Sequence, residues 1–401
     1  MPEAATEPLF AVVIAAPHDD DRVVAGVALG ERGRRSAMYG GVDASRVFVV
    51  RDDGDLARAR AAVVGPAVVV DVTAQVVMPA LVEKLVAAGG PCVAVDAAGA
   101  YAGALRVGAA ELPALWRALG ADLAGGDDAV AAKLRAEAPA LDVGALGRHP
   151  ARAADLRAAT RWLFQFAYKP ELDSAIVRHV YRPLSAPFTR LFVKLPFTPN
   201  HITIAAILVA QLGCVVAARP GYLAHVAGIF LIAFVSGILD AVDGEVARVR
   251  LQRSKIGAWL DAMGDDVLRV SLILAIGAHV APSYPDLPIW WITIASAVLT
   301  VAAMAPMWWY CITVLHSPNI QTYRAVMSDP DGGGSSLSDR LGKVGAEVAG
   351  RDFIDLATFA LAVAGLPVIA VFGLAAGGVV AFALVIPMHL KALRLRRRSA
   401  A

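Results

Sequence analysis

The stretch that decides the fold is LDAVDGEVARVRLQRSKIGAWLDAMGDD, from Leu239 to Asp266. Apolar runs flank it on both sides, Tyr222–Leu239 before it and Val267–Ala281 after it. Asp240 and Asp243 close the first run, and Asp261 and Asp265 open the second. Ionisable residues inside membrane-length helices are costly and mark functional sites that face the bundle interior. On a helix Asp240, Asp243, Gly244, Ala247 and Arg248 follow i, i+3, i+4, i+7, i+8 and share a face. Gly257, Asp261 and Asp265 repeat at i, i+4, i+8 on the next helix. A short connection makes the two helices neighbours, so four carboxylates converge. Four close negative charges need compensation, and an oxygen-only cluster selects hard divalent cations that bridge substrate phosphates. Gly244, Ala247 and Gly257 leave room for a ligand, and Arg248 offers a positive fork suited to phosphate. This is the pattern of metal-assisted phosphoryl transfer at a membrane surface.

Working outward, long apolar stretches occupy His201–Ala218, Tyr222–Leu239, Val267–Ala281 extended back to about Gly257, Ile289–Leu315, Phe353–Leu374 and Gly377–Leu390. A spanning helix needs about 20 mainly apolar residues, so six spans are expected over residues 200–401. Arg248, Arg250, Arg253 and Lys255 follow the second span, and Lys391, Arg394, Arg396, Arg397 and Arg398 end the chain. The positive-inside rule then puts both termini, the second connection and the site on the cytoplasmic side of a multi-pass protein of the cell (inner) membrane. Of the 401 residues 57% are hydrophobic and 18% charged, an apolar excess for a soluble domain. A net charge of +2 argues against a nucleic-acid partner bound through a global basic field.

Residues 1–161 read differently. Short apolar runs at Phe10–Ala15, Val47–Val50, Ala67–Val72 and Pro91–Val95 alternate with helical patterns such as Met78–Ala88 and Glu111–Leu119. That alternation predicts a cytoplasmic α/β domain with a mostly parallel sheet. No basic n-region with an apolar h-region opens the chain. Residues 162–199 form a linker in which Ile176–Leu195 mixes Arg178, Arg182, Arg190 and Lys194 with apolar residues, the pattern of an amphipathic helix lying at the headgroups. Asp329–Ser338 reads as a flexible loop, and its Gly332-Gly333-Gly334 is no phosphate loop because no Lys-Ser or Lys-Thr follows. Cys92, Cys214 and Cys311 match no zinc spacing and no disulfide framework.

The full pattern D-x2-D-G-x2-A-R-x8-G-x3-D-x3-D resembles the signature of the CDP-alcohol phosphotransferase family of integral membrane enzymes. Thr198-Pro199-Asn200 with Thr203 is similar to the opening of that family's first span. The resemblance implies six spans, a homodimer and a site holding two ions, Mg²⁺ or Mn²⁺. Carried over by position, Asp240, Asp243, Asp261 and Asp265 would hold the metal, with Asp265 as general base. Asp240, Gly244, Ala247, Arg248 and Gly257 would bind the CDP moiety. An acceptor hydroxyl, on an alcohol or a polyol phosphate, would attack the β-phosphorus of a CDP-alcohol and release CMP, in phospholipid or inositol-phosphate synthesis. Lys169-Pro170, Leu172-Asp173, Tyr181-Arg182-Pro183-Leu184-Ser185 and Arg351-Asp352-Phe353 resemble archaeal-type members, which fuse a nucleotidyltransferase-like domain to the membrane domain. Ser174 departs from the Gly of that pattern.

Val24–Val50 resembles a nucleotidyltransferase segment, but the Gly-rich, Arg-containing phosphate loop before it is replaced by Ala15-Ala16-Pro17-His18-Asp19-Asp20-Asp21. Acidic residues repel a triphosphate, so this domain is expected to be inactive. Pro17–Asp20 reads as a solvated turn rather than a zinc loop, and Asp71 as an ordinary strand-end aspartate. Two other readings stay open. One is a bifunctional cytidylyltransferase and phosphotransferase; the other is an ion transporter whose intramembrane acids line an ion path.

Overall fold

The computed structural model of the protein describes residues 8–15, 23–73, 76–123, 138–147, 156–165, 168, 173–316 and 350–400. The Pro17–Asp20 turn, Lys169-Pro170, Leu172 and the Asp329–Ser338 loop lie outside the described residues. The chain divides into two compact units. The first is Met1–Ala167 with Val193–Leu195 and Arg248–Leu251; the second is Tyr168–Phe192, Pro196–Ala247 and Gln252–Ala401.

The first unit is built on a six-stranded sheet. Its strands are β1 (Phe10–Ile14), β2 (Val47–Val50), β3 (Ala67–Asp71), β4 (Cys92–Val95), β5 (Tyr101–Val107) and β6 (Ala140–Asp142), in the order β2-β1-β3-β5-β4-β6. The expected mostly parallel sheet is mixed. β1 pairs in parallel with β2 and β3, and β4 with β6, whereas β5 runs antiparallel to both β3 and β4. β1 and β3 are continuous apolar runs buried on both faces, whereas β2, at the sheet edge, is mostly half-buried. Between them run α1 (Leu29–Tyr39), α2 (Asp53–Ala62), α3 (Pro79–Ala87) and α4 (Leu112–Leu123). Asp52 caps α2 by accepting from Asp55 N at 2.7 Å, and Pro79 starts α3 at the position where its missing N–H costs nothing. The core on one face of the sheet gathers Phe10, Val12, Val69, Leu105, Leu115 and Trp116. A further helix, α5 (Leu156–Gln165), is the last described element of the Met1–Ala167 stretch of this unit.

The second unit is helical. After α6 (Arg182–Phe192), four helices among the described residues are long and apolar enough to cross a membrane: α7 (Pro199–Ala217), α8 (Tyr222–Val249), α9 (Lys255–Ser283) and α10 (Ile289–Leu315). α11 (Arg351–Val363) and α12 (Pro367–Ala400) complete it. The break between these last two falls at Ala364–Leu366, ten residues before the one expected between Leu374 and Gly377. The reason is local. Gly365 takes φ +71°, Leu366 N bonds Leu361 O at 2.8 Å and Gly365 N bonds Ala362 O at 3.1 Å, and Pro367 opens the next helix. That is the Schellman ending, which hydropathy does not register. Gly377, where the sixth apolar run was expected to begin, and Gly378 instead sit inside α12, where a Cβ on Gly378 would lie 3.3 Å from Ser296 O. The core of this unit includes Ala210, Cys214, Ile229, Ile232, Leu272 and Ile276. Cys92, Cys214 and Cys311 are buried and free.

Candidate active site

α8 carries the first half of the site. Its middle, Leu231–Ser236, is a π turn, an extra-residue insertion that recurs where helices present functional groups. Ser236, its last residue, and Asp240, one turn further on, lie on the side that meets Arg351. Arg351 Nη1 donates to Asp240 Oδ1 at 2.7 Å and also to Asp265 on α9, while Nη2 donates to Ser236 Oγ at 3.1 Å. Arg351 Nε lies 3.4 Å from Asp355 Oδ2, one turn along its own helix. Arg351 is the first residue of α11, where the helix dipole disfavours a cation; the surrounding carboxylates supply the compensation.

α9 carries the second half. Ser254 caps it by accepting from Gly257 N at 2.8 Å, and Ser254 Oγ donates to Asn200 Oδ1 at 3.1 Å. A Cβ on Gly257 would lie 2.5 Å from Asn200 Oδ1 and 2.8 Å from Ser254 Oγ, so a larger residue would displace the side chains that join these helix ends. Asp261 and Asp265 follow on successive turns, and Gly264 between them permits close approach of Ile207 from α7. Asp266 turns elsewhere and accepts from Trp308 Nε1 at 2.5 Å.

α7 braces the arrangement. Thr198 and His201 form a capping box across Pro199, which is why this helix starts where it does. Thr203 Oγ1 donates to Asp243, whose side chain is buried between the two helices.

One cleft is lined by Thr203, Ser236, Asp240, Asp261, Asp265 and Arg351, with Ile207, Gly264 and Leu268 among its apolar wall. Three of the four expected carboxylates therefore share it, and the fourth, Asp243, is engaged by a residue of its rim. Gly244, Ala247 and Arg248 continue along α8, and Gly257 begins α9; none of the four lines that cleft. Sequence reasoning gave no role to Arg351, Ser236 or Asp355. The available signal was a charged cluster, Arg351-Asp352-Phe353-Ile354-Asp355, at the mouth of an apolar run.

Among the described residues, no group of three or more His, Cys, Asp or Glu side chains stands ready to hold a metal ion. Asp240 and Asp265 are engaged with Arg351, and Asp243 with Thr203. The donor set nevertheless fits a hard dication, being carboxylate oxygens from two adjacent helices that a positive group already compensates.

Residues 197–386 match the CDP-alcohol phosphatidyltransferase family. The chain is 31% identical over 134 residues to the "Bifunctional IPC transferase and DIPP synthase" of Aquifex aeolicus, a stretch covering 33% of this chain and 30% of that protein. It is 32% identical over 145 residues to the protein of the same name from Thermococcus kodakarensis, covering 36% and 31%. A third, from Archaeoglobus fulgidus, is 34% identical over 128 residues, covering 32% and 25%. Each match thus spans less than a third of the relative's length. With the aspartate motif, the membrane-length helices and the cleft between them, the comparisons identify the second half of the chain: it carries a CDP-alcohol phosphatidyltransferase domain at residues 197–386.

Proposed function

We propose that the chain is an integral membrane transferase that moves a phospho-alcohol group from a CDP-alcohol to an acceptor hydroxyl and releases CMP. One observation carries the reading: Asp240, Asp261 and Asp265, from two helices of the matched domain, line one cleft beside a buried-end guanidinium. Asp240, Asp243, Asp261 and Asp265 would hold two Mg²⁺ or Mn²⁺ ions. When bound, such ions supply Lewis-acid stabilisation of phosphate charge. The chain's own residues do the rest. Asp265 takes the proton of the acceptor hydroxyl; the acceptor oxygen bonds to the β-phosphorus as the bond from that phosphorus to the CMP oxygen breaks. CMP leaves with the electron pair. Arg351, freed from Asp265, can donate to a phosphate oxygen with its planar fork. Gly244, Ala247, Arg248 and Gly257 would border the cytidine diphosphate.

The same reading takes six spans, with α11 and α12 as the fifth and sixth. α11 has 13 residues, about 20 Å of helix, short of the ~30 Å hydrocarbon core. It would cross only with residues on either side contributing. The termini and the site would face the cytoplasm of the inner membrane, and two copies would pair. The first unit would be nucleotidyltransferase-like and inactive. A second reading, in which that unit makes the CDP-alcohol from CTP, is favoured by the word "Bifunctional" in the names of the relatives.

The deciding experiment incubates the purified full chain in detergent with a panel of CDP-alcohols and acceptors, with Mg²⁺ or with chelator, and identifies products by mass. Divalent-dependent CMP release with a matching diester product is expected. No CMP from any donor, together with cation flux in vesicles, would replace the transferase by a transporter.

A further inference from the structure

Glu245 is fully buried in α8, two residues past Asp243, and does not line the cleft. Steps of about 100° per residue put it about 140° around the helix from Asp240 and about 160° from Asp243. It therefore occupies the back of the helix whose front carries the carboxylates. Its side chain takes three donors, all from α6. Arg182 Nη1 at 2.5 Å and Ser185 Oγ at 2.7 Å reach Oε1, and Thr189 Oγ1 at 2.5 Å reaches Oε2. Positions 182, 185 and 189 recur at i, i+3, i+7 and form one face. The remaining edge of Arg182 is bidentate to Asp173, at 2.9 and 2.8 Å. Burial works against the Arg182 charge, but hydrogen bonds from Arg182 to Asp173 and Glu245 outweigh it and raise the guanidinium's pKa.

A second point of attachment lies higher on α8. Tyr181 O–H donates to Ala233 O at 2.7 Å inside the π turn, and a Cβ on Gly237 would lie 2.7 Å from the Tyr181 ring. On the opposite side of α6, Leu184, Phe188 and Leu191 are exposed. The juxtamembrane helix thus turns its apolar side outward, as a helix at the headgroups does, and its polar side onto α8.

Adhesion alone does not call for this. Burying a carboxylate and a guanidinium is costly, and an apolar pair of similar volume would hold two helices together as well or better. What a saturated polar pair adds is a single rotation and register, the best-attested use of buried charge. A carboxylate about 6 Å from a helix axis shifts about 1.5 Å for a 15° turn of the helix, beyond the ~0.5 Å that a working site tolerates. We propose that Glu245, held by Arg182, Ser185 and Thr189, is a positioning residue that locks the rotation of α8 so that Asp240 faces the cleft and Asp243 stays on Thr203 at its rim. This role rests on the transferase reading above.

The test uses the full chain in detergent, with Mn²⁺ binding followed by electron paramagnetic resonance of the free ion. CMP release is measured from whichever CDP-alcohol of the panel is turned over, and thermal unfolding is recorded alongside. Glu245→Gln and Thr189→Val should weaken Mn²⁺ binding about tenfold and lower kcat about 100-fold, with KM for the donor little changed. Thr189→Ser keeps the hydroxyl and should restore both. Wild-type kcat and Mn²⁺ affinity in Glu245→Gln and Thr189→Val would overturn the proposal. So would a lowered unfolding midpoint as their sole effect, which is what mere packing predicts. A wild-type chain that neither binds Mn²⁺ nor releases CMP would instead overturn the transferase reading, and this role with it.

Discussion

Arg351 donates from Nη1 to Asp240 at 2.7 Å across 111 positions of sequence, and through the same nitrogen to Asp265. One guanidinium therefore joins the start of α11 to both carboxylate-bearing helices. Removing it leaves clustered negative charges without their internal counter-ion. Breaking a buried pair costs about 3–5 kcal/mol, less where the partners are part exposed, as Asp240 and Asp265 are at 33% and 36%. Arg351→Gln should lower stability by about 1–3 kcal/mol in metal-free buffer. Added Mg²⁺ should raise its unfolding midpoint more than that of wild type, because the ion replaces a charge the wild type already has. Equal Mg²⁺ responses in the two proteins would show that the carboxylates do not bind the ion.

Packing between α7 and α8 makes a prediction independent of the chemistry. A Cβ on Gly213 would lie 2.8 Å from Gly228 O, and one on Gly228 would strike the Ala217 backbone. Helices in lipid associate through such small-residue contacts, since lipid is as apolar as their side chains. Gly228→Val should destabilise by about 1–3 kcal/mol or prevent stable insertion. Gly373→Ala, with nothing near the added methyl, should leave the unfolding midpoint within a degree or so of wild type or above it. Comparing the two midpoints in detergent checks the contact.

The elements legible in sequence were those with a local signature. β1 to β4 were continuous apolar runs, and α7 announced itself by Thr198-Pro199. β5 was missed because its Gly103 and Arg106 interrupt the apolar pattern; its place depends on antiparallel partners on both sides. The break at Gly365 was missed because Leu366 keeps the run apolar, while the end of the helix is written in two backbone hydrogen bonds. Within the site, periodicity placed Asp240, Asp261 and Asp265 on compatible faces. It was silent on Arg351 and Arg182, because their partners lie 111, 86 and 63 positions away.

The first unit should not turn over CTP. Two carboxylates at its strand ends are tied into their own turns. Asp71 accepts from Thr73 N at 3.1 Å and Thr73 Oγ1 at 2.5 Å, and Asp96 from Ala98 N at 2.8 Å and Ala100 N at 3.0 Å. The sequence before Val24 offers Asp19, Asp20 and Asp21 where a triphosphate needs backbone N–H groups and cations. The full chain given CTP, Mg²⁺ and a phosphorylated alcohol should release no pyrophosphate above a no-enzyme control. Release dependent on the phosphorylated alcohol would make the protein bifunctional and the Asp19–Asp21 argument wrong.

The base assignment turns on two adjacent aspartates with different surroundings. Asp265 lies about 6 Å of helical rise beyond Asp261 on the same face, lines the cleft and is held by Arg351. Asp266, about 100° further around the helix, accepts instead from Trp308 at 2.5 Å. A general base must reach the proton it removes, and only the first of these carboxylates borders the cleft. Asp265→Asn should lower CMP release by several orders of magnitude while retaining most CDP-alcohol binding, measured by calorimetry. Asp261→Asn, removing a cleft carboxylate that would hold metal, should cut turnover by orders of magnitude and weaken Mn²⁺ binding as well. Asp266→Asn keeps an acceptor for Trp308 through its amide oxygen and should retain at least about a third of wild-type kcat, an effect of under 1 kcal/mol on the barrier. Were Asp266→Asn inactive and Asp265→Asn active, the register of α9 in the working enzyme would differ from the one described, and the proton would have to leave by another residue.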